Sequence, residues 1–496
     1  MPSLVRRHWA LLAGLGLVRA MAPAAPAGAI AVGARALIFA DDSGVQEMSG
    51  LVRTFHPAKT RPEPVLIADR PWEGVRVYIY GSVLPDPATG GFRMWYQSRP
   101  GSGQESGLSV PGLRAASPDL TLYATSPDGL RWSKPALDLY PYHSEPGTNI
   151  VFDLGSPSIL LDPFEHDPSR RYKMLGTMAH SYWTACSPDG LHWRSLSAQP
   201  ALPYWDTITL AQDPLTGAYL AFHKRPATVR GIPRRVVWLS RSADFSSWSP
   251  PRLVLAPDAI DDAWVTSPGQ RTEIYDMSVV PYASGYLGFP AIFRVLRERP
   301  RSQLAPGQSP VDGPIDIQLA TSADGEGWQR SWPRVAIVPR GLPGAFDGGV
   351  LLGVASTVVD TADQTWLYYT GINTTHGGPL PPKRIGIGRA EWRRDGFASL
   401  DADPSGGRLQ TRPLRFADRT LLVNADSSRG VVRVALLQAD GTDLPGHSLA
   451  EALPFSGNST HQAARWRTTS AVPTDRPLRV VVEMAGAQLF SLRSGP

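Results

Sequence analysis

The sequence predicts an all-β protein, with a five-bladed β-propeller over about residues 36–405 followed by an accessory β-sandwich over residues 406–496. Three observations lead to this fold class. The pattern S-x-D-x-x-x-W recurs four times with the same internal spacing, short β-rich apolar runs surround every copy, and almost no segment repeats its apolar residues at the helical period. Four antiparallel strands, repeated around an axis, are the unit of a β-propeller.

The first 29 residues have the pattern of a secretory signal peptide. Arg6 and Arg7 precede the apolar run Trp9–Val18, which is too short to span a bilayer, and small residues suited to signal-peptide cleavage follow. We therefore predict that the chain is exported to the periplasm or the extracellular space. No later stretch predicts a membrane-spanning segment, so we expect no membrane partner.

Each copy of the repeated pattern predicts a turn between two strands. Asp binds nearby backbone in such turns, and the Gly that often follows tolerates a positive φ. We expect the four Asp to be structural, on peripheral turns away from the central funnel, each covered by its Trp. A degenerate fifth copy occurs at Arg394–Phe397, where we expect a strand near Ala36–Ala40 to complete the ring. The four full copies are Ser126–Trp132, Ser187–Trp193, Ser242–Trp248 and Ser322–Trp328.

The residues after about Gly406 contain no copy of the pattern. They form alternating apolar and polar runs separated by Gly and Asp turns, which is typical of short strands. This change of character predicts the small C-terminal β-sandwich.

Composition narrows the possible partners. The chain has 496 residues, 42% of them hydrophobic, and a net charge of only +5 with its basic residues scattered, so we expect no nucleic-acid surface. Cys186 is the only cysteine, which excludes an intramolecular disulfide, and we interpret it as a small buried apolar residue. No His-x-x-x-His pattern or Cys pair indicates zinc, so we predict no metal, no other cofactor and a monomer.

The candidate site follows from the geometry of a propeller, because the innermost strands all start at one face and converge on one funnel. An aromatic residue followed by a carboxylate precedes each predicted inner strand. A ring of carboxylates is costly through mutual repulsion, and glycoside hydrolysis is a reaction that uses one protonated and one ionised carboxyl group. The aromatic neighbours offer flat faces to sugar rings. The five pairs are Trp72-Glu73, Phe152-Asp153, Trp205-Asp206, Tyr275-Asp276 and Phe346-Asp347.

Five repeated units, a carboxylate funnel, a C-terminal sandwich and a signal peptide together resemble the five-bladed propeller glycoside hydrolases of families 32 and 43. The resemblance implies a base or nucleophile in the first blade, a helper Asp in the third and an acid in the fourth. The nearest residues here are Glu73, Asp206 and Glu273, with Asp276 as a rival for the acid. Both families normally use Asp in the first blade, so Asp42 is a second candidate there. The fructosidase motif W-x-N-D-P-N-G is absent, and no E-C-P motif occurs.

The leading functional hypothesis is a secreted glycoside hydrolase that acts on an oligo- or polysaccharide through paired carboxylates. The predicted substrate-binding residues are Asp42, Trp72, Asp153, Trp205, Asp347 and His376. A sialidase-like hydrolase is an alternative, because the repeated pattern is one residue shorter than the sialidase Asp-box. A carbohydrate-binding propeller without catalytic activity is the other alternative.

Overall fold

The computed structural model describes residues 28–100, 113, 119–203, 206–305, 308–330 and 333–495. Strands dominate these ranges, so the predicted all-β class is confirmed. The helices in them are single 3-10 turns, and none has the length or apolar character needed to cross a bilayer. Residues 1–27 of the predicted signal peptide lie outside the described residues. The 3-10 turns are Pro71–Glu73, Pro168–Arg170 and Arg301–Gln303.

Three antiparallel sheets follow one another along the chain, each with four main strands in chain order from its inner to its outer edge. The first sheet contains Val77–Asp86, Gly91–Ser98, Leu120–Ser126 and Ile150–Phe152. The second contains Gly155–Leu161, Tyr172–Met178, Ser181–Ser187 and Arg194–Ser195, with Leu202–Pro203 beside the third strand. The third contains Ile208–Gln212, Tyr219–Val229, Ile232–Ser242 and Arg252–Leu255.

The fourth and fifth sheets are joined by one parallel contact between Ile315 and Val350. The fourth contains Arg271–Tyr282, Gly285–Val295, Ile315–Ile317, Ala320–Ser322 and Trp328–Arg330, and a hairpin of Arg297–Glu298 and Val311–Asp312 extends beside it. The fifth contains Val350–Val354, Val359–Asp360, Gln364–Ile372 and Ile385–Arg393, and its outer edge is completed by Lys59–Thr60 and Leu66–Ile67.

The first strands of the five sheets, which we call the inner strands, contact one another in cyclic order. An inner strand is a sheet edge with unpaired backbone groups, and hydroxyl or amide groups of the next sheet satisfy several of these. The bonds around the cycle are Ser82 Oγ to Ile159 O at 2.7 Å, Leu210 N to Ser158 Oγ at 2.8 Å, Thr209 Oγ1 to Met277 O at 2.7 Å, Ser278 Oγ to Val354 O at 2.9 Å, and Ser356 N to Gly81 O at 2.9 Å.

The four copies of the repeated pattern form turns with one common set of hydrogen bonds. In every copy the Ser hydroxyl donates to the Asp, and Asp Oδ1 accepts the N–H groups of the residues two and three positions later. Several turns also contact the neighbouring sheet, because Tyr368 donates to the carbonyl of Gly129 and Trp95 to that of Gly190. These contacts give the repeated pattern a structural role.

Replacing Asp128 by Ala should lower the free energy of unfolding by about 1 kcal/mol without changing any enzymatic rate. The backbone N–H groups of Arg131 and Leu130 hold the pKa of Asp128 well below its usual 3.8. The stabilisation is therefore present above about pH 4 and disappears as the pH falls further. Urea unfolding at pH 7 and pH 3 checks this, with Asp443→Ala as the control because Asp443 is exposed. An equal loss at both pH values would contradict the account.

Two six-stranded sheets contain the C-terminal strands, and one apolar cluster draws residues from both. One sheet contains Ile30–Val32, Leu414–Phe416, Leu478–Ala485, Gly407–Thr411, Val45–Ser49 and Val431–Gln438. The other contains Asn458–Ala463, Thr420–Asp426, Ala487–Gly495, Ala398–Ala402, Leu51–Phe55 and Leu37–Ile38.

The N-terminal strands differ from expectation. The strand expected near Ala36–Ala40 does not close the cycle of inner sheets, because Leu37–Ile38 pairs with the C-terminal strand Ala487–Gly495. Lys59–Thr60 and Leu66–Ile67 pair with Ile385–Arg393 instead. The C-terminal sheets therefore include residues from both ends of the chain.

The degenerate fifth copy of the pattern connects the fifth sheet to the C-terminal sheets. Asp395 is almost fully buried and accepts hydrogen bonds from Arg493 Nη2 at 2.6 Å, Arg493 Nε at 2.9 Å and Ser491 Oγ at 2.8 Å. This buried ion pair replaces the local turn bonds that the Asp of the other four copies makes.

Candidate active site

Asp276 lies on the fourth inner strand, Arg271–Tyr282, at an irregularity that changes the direction of its side chain. The pairing register shifts between Ile274 and Met277, which adds one residue to this strand relative to its partner. Gly353 of the fifth inner strand faces the carboxyl group and has a φ of +81°. A Cβ atom there would lie 2.5 Å from Asp276 Oδ2 and 2.7 Å from Tyr80 Cε1, so both conformation and space require glycine.

The surroundings of Asp276 favour its protonated form. Burial, opposed by the charge of Lys224 and assisted by the smaller effect of Asp206, raises the pKa of Asp276 from 3.8 to about 7. A carboxyl group with a pKa near neutrality holds a proton that it can donate at physiological pH. This is the protonation state that a general acid needs.

Asp206 provides the second carboxylate of this group. Its side chain is 41% exposed, and Oδ2 lies 2.8 Å from Nζ of the buried Lys224. The same ammonium group lies 3.3 Å from the ring centroid of Tyr275, which is within the range of a cation–π contact. Burial lowers the pKa of Lys224, and Asp206 opposes that shift. The arrangement brings Asp206 and Lys224 close enough to Asp276 for both charges to act on its pKa.

Aromatic side chains surround the two carboxyl groups. Tyr78 and Tyr80 stack with ring centroids 5.8 Å apart, and Tyr78 is the more exposed of the two. Burial raises the pKa of Tyr80 well above 10, and the charges of Tyr275 and Asp276 act in the same direction, so Tyr80 stays neutral. The partly exposed ring of Tyr78 offers a face for a sugar ring.

His376 lies beside Tyr275 in a supporting position, and its predicted role in substrate binding stays a prediction. Its ring lies 5.5 Å from that of Tyr275 and 5.0 Å from that of Phe293. Nδ1 lies 2.9 Å from the carbonyl oxygen of Val311, so the neutral ring carries its proton on Nδ1. Burial lowers the pKa of His376 to about 4. His376 therefore fixes the position of Tyr275 as a neutral side chain.

Glu273, the other predicted acid of the fourth sheet, has both oxygens held by guanidinium groups. Arg271 Nε lies 2.6 Å from Oε1, and Arg235 donates to Oε2. The carboxylate is buried and lines the same cavity as Asp206. A carboxylate bound by two arginines is suited to holding charge and poorly suited to donating a proton.

The structure places Glu73 away from Asp206 and Asp276. Its carboxylate accepts hydrogen bonds from Tyr96 at 2.6 Å, from Lys134 at 2.8 Å and from the backbone of Asp69 and Arg70 at 2.8 and 3.0 Å. The 3-10 turn before the first inner strand points it into the space between sheets. These contacts give Glu73 a structural role, and its catalytic role stays a prediction from the sequence.

Asp347 and Asp153 lie two or three residues before inner strands, and both make other interactions. Asp347 Oδ2 accepts the hydroxyl of Tyr369 at 2.7 Å, and burial raises its pKa. Asp153 is buried, and its charge adds to the effect of burial in raising the pKa of Tyr140. Neither carboxylate is among the groups whose charge shifts the pKa of Asp276.

The remaining predicted substrate-binding residues lie elsewhere. Trp72 is buried, donates to Asn149 Oδ1 at 2.7 Å and packs on Tyr142, so its face is not open to a sugar. Asp42 is exposed and pairs with Arg53 at 2.5 Å. It lies in the N-terminal segment whose strands join the C-terminal sheets. Trp205 lies outside the described residues.

Sequence reasoning missed Lys224 and Tyr80. Lys224 is on the second strand of the third sheet, whereas the carboxylates were predicted from positions just before the inner strands. Tyr80 is inside the first inner strand, three residues after its start. The signal available for Lys224 was an isolated basic residue within the strand run YLAFHK, next to the buried His223.

The described residues hold no group of three or more His, Cys, Asp or Glu side chains placed to bind a metal ion. What they hold is a buried carboxyl group with a pKa of about 7, a second, partly exposed carboxylate paired with Lys224, and a partly exposed tyrosine. Such a set can transfer a proton to a leaving oxygen and support an incoming water or covalent bond.

No family model and no curated protein sequence matches this chain. Solved structures that it resembles include a complex of BT0996 with RGII, at 15% identity and a TM-score of 0.44, over 67% of the present sequence and 92% of the matched one. An N-acetylgalactosamine deacetylase from F. plautii matches at 16% identity with a TM-score of 0.41, over 70% of the present sequence and 97% of the matched one. The GH32 β-fructofuranosidase BmSUC1 of Bombyx mori matches at 10% identity with a TM-score of 0.40, over 88% of the present sequence and 95% of the matched one.

Glycoside hydrolases are prominent among these structures, as the resemblance seen in the sequence implied. All three TM-scores are below 0.5, so the likeness is remote.

Proposed function

We propose that this chain is an exported glycosidase that cleaves glycosidic bonds in oligo- or polysaccharides. The observation that carries the proposal is the buried Asp276, with a pKa of about 7, next to the ion pair of Asp206 and Lys224. Glycoside hydrolysis uses two neighbouring carboxyl groups, one that donates a proton and one that acts in its ionised form. The signal-peptide pattern of residues 1–29 supports export to the periplasm or the extracellular space.

In the proposed reaction Asp276 donates its proton to the glycosidic oxygen as the bond to the sugar breaks. Asp206 acts on the opposite side of the sugar ring, either as the base for a water molecule or as the nucleophile. Lys224 keeps the charge on Asp206 in place at 2.8 Å. Tyr78 packs against the sugar, and Tyr80 supports Asp276 from below.

The architecture we propose for this site is a five-bladed propeller with a C-terminal β-sandwich. The cyclic contacts of the inner strands and the hydroxyl bonds between them support five blades. An apolar cluster shared by the two C-terminal sheets supports the sandwich.

A carbohydrate-binding protein without catalysis is the second candidate. The observation that favours it is that Glu73, Glu273 and Asp347, three of the predicted carboxylates, are already held by tyrosine, lysine or arginine groups. The two candidates differ in whether Asp206 and Asp276 turn over a bound glycan.

Wild-type protein should hydrolyse at least one substrate in a panel of arabinan, xylan, fructan, galactan and carboxylated oligosaccharides. Asp206→Asn should lower its turnover by about 10²–10⁴-fold, because an amide cannot act as base or nucleophile. Asp347→Asn is the matched control, since it changes another inner-strand carboxylate and should keep turnover wherever it folds. Reducing-sugar release and circular dichroism measure the two properties. Binding of a glycan by calorimetry without any hydrolysis would favour the non-catalytic candidate.

A further inference from the structure

A cavity of about 290 Å³ opens beside Asp206, and most of its charged lining is cationic. We propose that this cavity binds a carboxylate carried by the substrate, so that the glycan cleaved is a uronide, and that Arg235 recognises the carboxylate. This inference rests on the proposed function, because it names the substrate class of the same site. The charged lining residues are Lys224, Arg225, Arg234, Arg235 and Arg271 against Asp206 and Glu273.

The arginines around the cavity differ in how many of their guanidinium N–H groups have an acceptor in the protein. Arg234 lies 2.8 Å from Asp262, and Arg271 pairs with Glu273 at 2.6 Å and with Glu298 at 3.3 Å. Arg235 has one acceptor among the described residues, Glu273, and it shares this carboxylate with Arg271. Nε and Nη2 of Arg235 are therefore donors that the described part of the protein does not use.

The position of Arg235 suits it to bind an anion in the cavity. Its side chain is 28% exposed, and the guanidinium carbon lies 5.7 Å from the ring centroids of both Tyr275 and Phe293, which restrict its orientation. The planar guanidinium presents parallel N–H groups that match the two oxygens of a carboxylate. A bound carboxylate would lie next to Asp206, within reach of the sugar that contacts the proposed catalytic pair.

Electrostatics also favours an anion here. The charge of Arg235 acts on the buried Lys224, and together with the larger effect of burial it lowers the pKa of that lysine against the opposing effect of Asp206. The two cations repel each other in a partly desolvated space, and the carboxylates of Asp206 and Glu273 offset part of this repulsion. Since cations outnumber carboxylates in the lining, a substrate carboxylate would offset more of it, whereas a neutral hydroxymethyl group would not.

The test measures binding on the full mature chain carrying Asp276→Asn, so that turnover does not interfere. Calorimetry compares methyl glucuronide with methyl glucoside and methyl galacturonide with methyl galactoside, pairs that differ only at the sixth carbon. At least one uronide should bind about 10- to 100-fold tighter than its neutral partner, the range expected of a charge-assisted hydrogen bond.

Adding Arg235→Gln should remove this preference, and adding Arg235→Lys should retain part of it. Arg252→Gln is the matched control, because it removes the same charge from an exposed arginine that pairs with Glu326 on another part of the surface. Equal binding of uronides and neutral sugars, or a preference that survives Arg235→Gln, would overturn the proposal.

A second experiment tests inorganic phosphate and sulfate, because their negatively charged oxygens resemble those of a carboxylate. If wild-type turnover requires free phosphate and releases a sugar phosphate, the anion is a co-substrate and the uronide proposal fails. Uronide binding through Arg235 without cleavage of any glycan would support this inference and contradict the proposed hydrolysis. Cleavage of neutral glycans without any preference for uronides would support the proposed hydrolysis and contradict this inference.

Discussion

Asp276→Asn should lower turnover by about 10²–10⁴-fold and at the same time make the protein more stable at pH 8. The loss of rate follows because asparagine cannot donate the proton. The gain in stability follows because the folded protein holds the carboxyl group where its charged form is unfavourable, with a pKa of about 7 against 3.8 when unfolded. Active-site groups are often kept at such a cost to stability.

The sign of the pH dependence distinguishes this prediction from a general effect of mutation. Because the folded state binds the proton more tightly, wild-type stability should fall as the pH rises from about 4 to about 7, by up to about 4 kcal/mol at 1.36 kcal/mol per pKa unit. The variant lacks this titration, so its advantage should grow over the same range. Wild-type kcat/KM should fall above about pH 7 as the acid loses its proton.

Urea unfolding between pH 4 and pH 8 measures the first effect, and kcat on the best substrate of the panel measures the second. Asp347→Asn is the control, because burial raises the pKa of that carboxyl group too, yet it lies outside the catalytic pair. A variant with near-normal turnover, or one whose stability relative to wild type does not change with pH, would show that the environment of Asp276 has been misassigned.

The second large effect concerns the ion pair between the fifth sheet and the C-terminal sheets. Asp395→Asn should lower the free energy of unfolding by about 3 kcal/mol, because it leaves the buried charge of Arg493 without its closest partner. Asparagine is the appropriate replacement, since residue 395 has a φ of +56°, which asparagine tolerates. The other carboxylate near Arg493, that of Asp360, lies 3.4 Å away and compensates only in part.

A double-mutant cycle measures this pair directly. Arg493→Met alone should also be strongly destabilising, because it leaves Asp395 buried and charged. The double variant should be destabilised by clearly less than the sum of the two single variants, with a coupling of about 1 kcal/mol or more. Additive losses would show that the two groups contribute independently and that the contact does not join the sheets.

Much of the fold could be predicted because its signals are local. A strand of alternating residues, an Asp-Gly turn and a covering Trp are all set within about a dozen residues, and the pattern repeats. The pairing of Leu37–Ile38 with the C-terminal strand could not be predicted, because nothing in two apolar residues specifies which distant sheet edge they join.

The candidate site could be approached from the sequence only in part. Asp206 and Asp276 were candidates because each follows an aromatic residue and comes before or within a predicted inner strand, which is a property of the sequence order. Glu73 has that position too, but the 3-10 turn Pro71–Glu73 directs it to Lys134 and Tyr96. Lys224 approaches Asp206 across the sheet, and only the folded chain shows that contact.

The pairing of the two chain ends has a consequence for how this protein acquires its structure. Ile30–Val32 pairs with Leu414–Phe416, and Lys59–Thr60 pairs with Ile385–Arg393, so the first strands to be synthesised wait for partners more than 300 residues later. Contacts of such long sequence separation make folding slow and leave edges exposed meanwhile. The N-terminal strands should therefore remain unpaired until synthesis of the chain is nearly finished, and their apolar residues and free edges should stay exposed for that time.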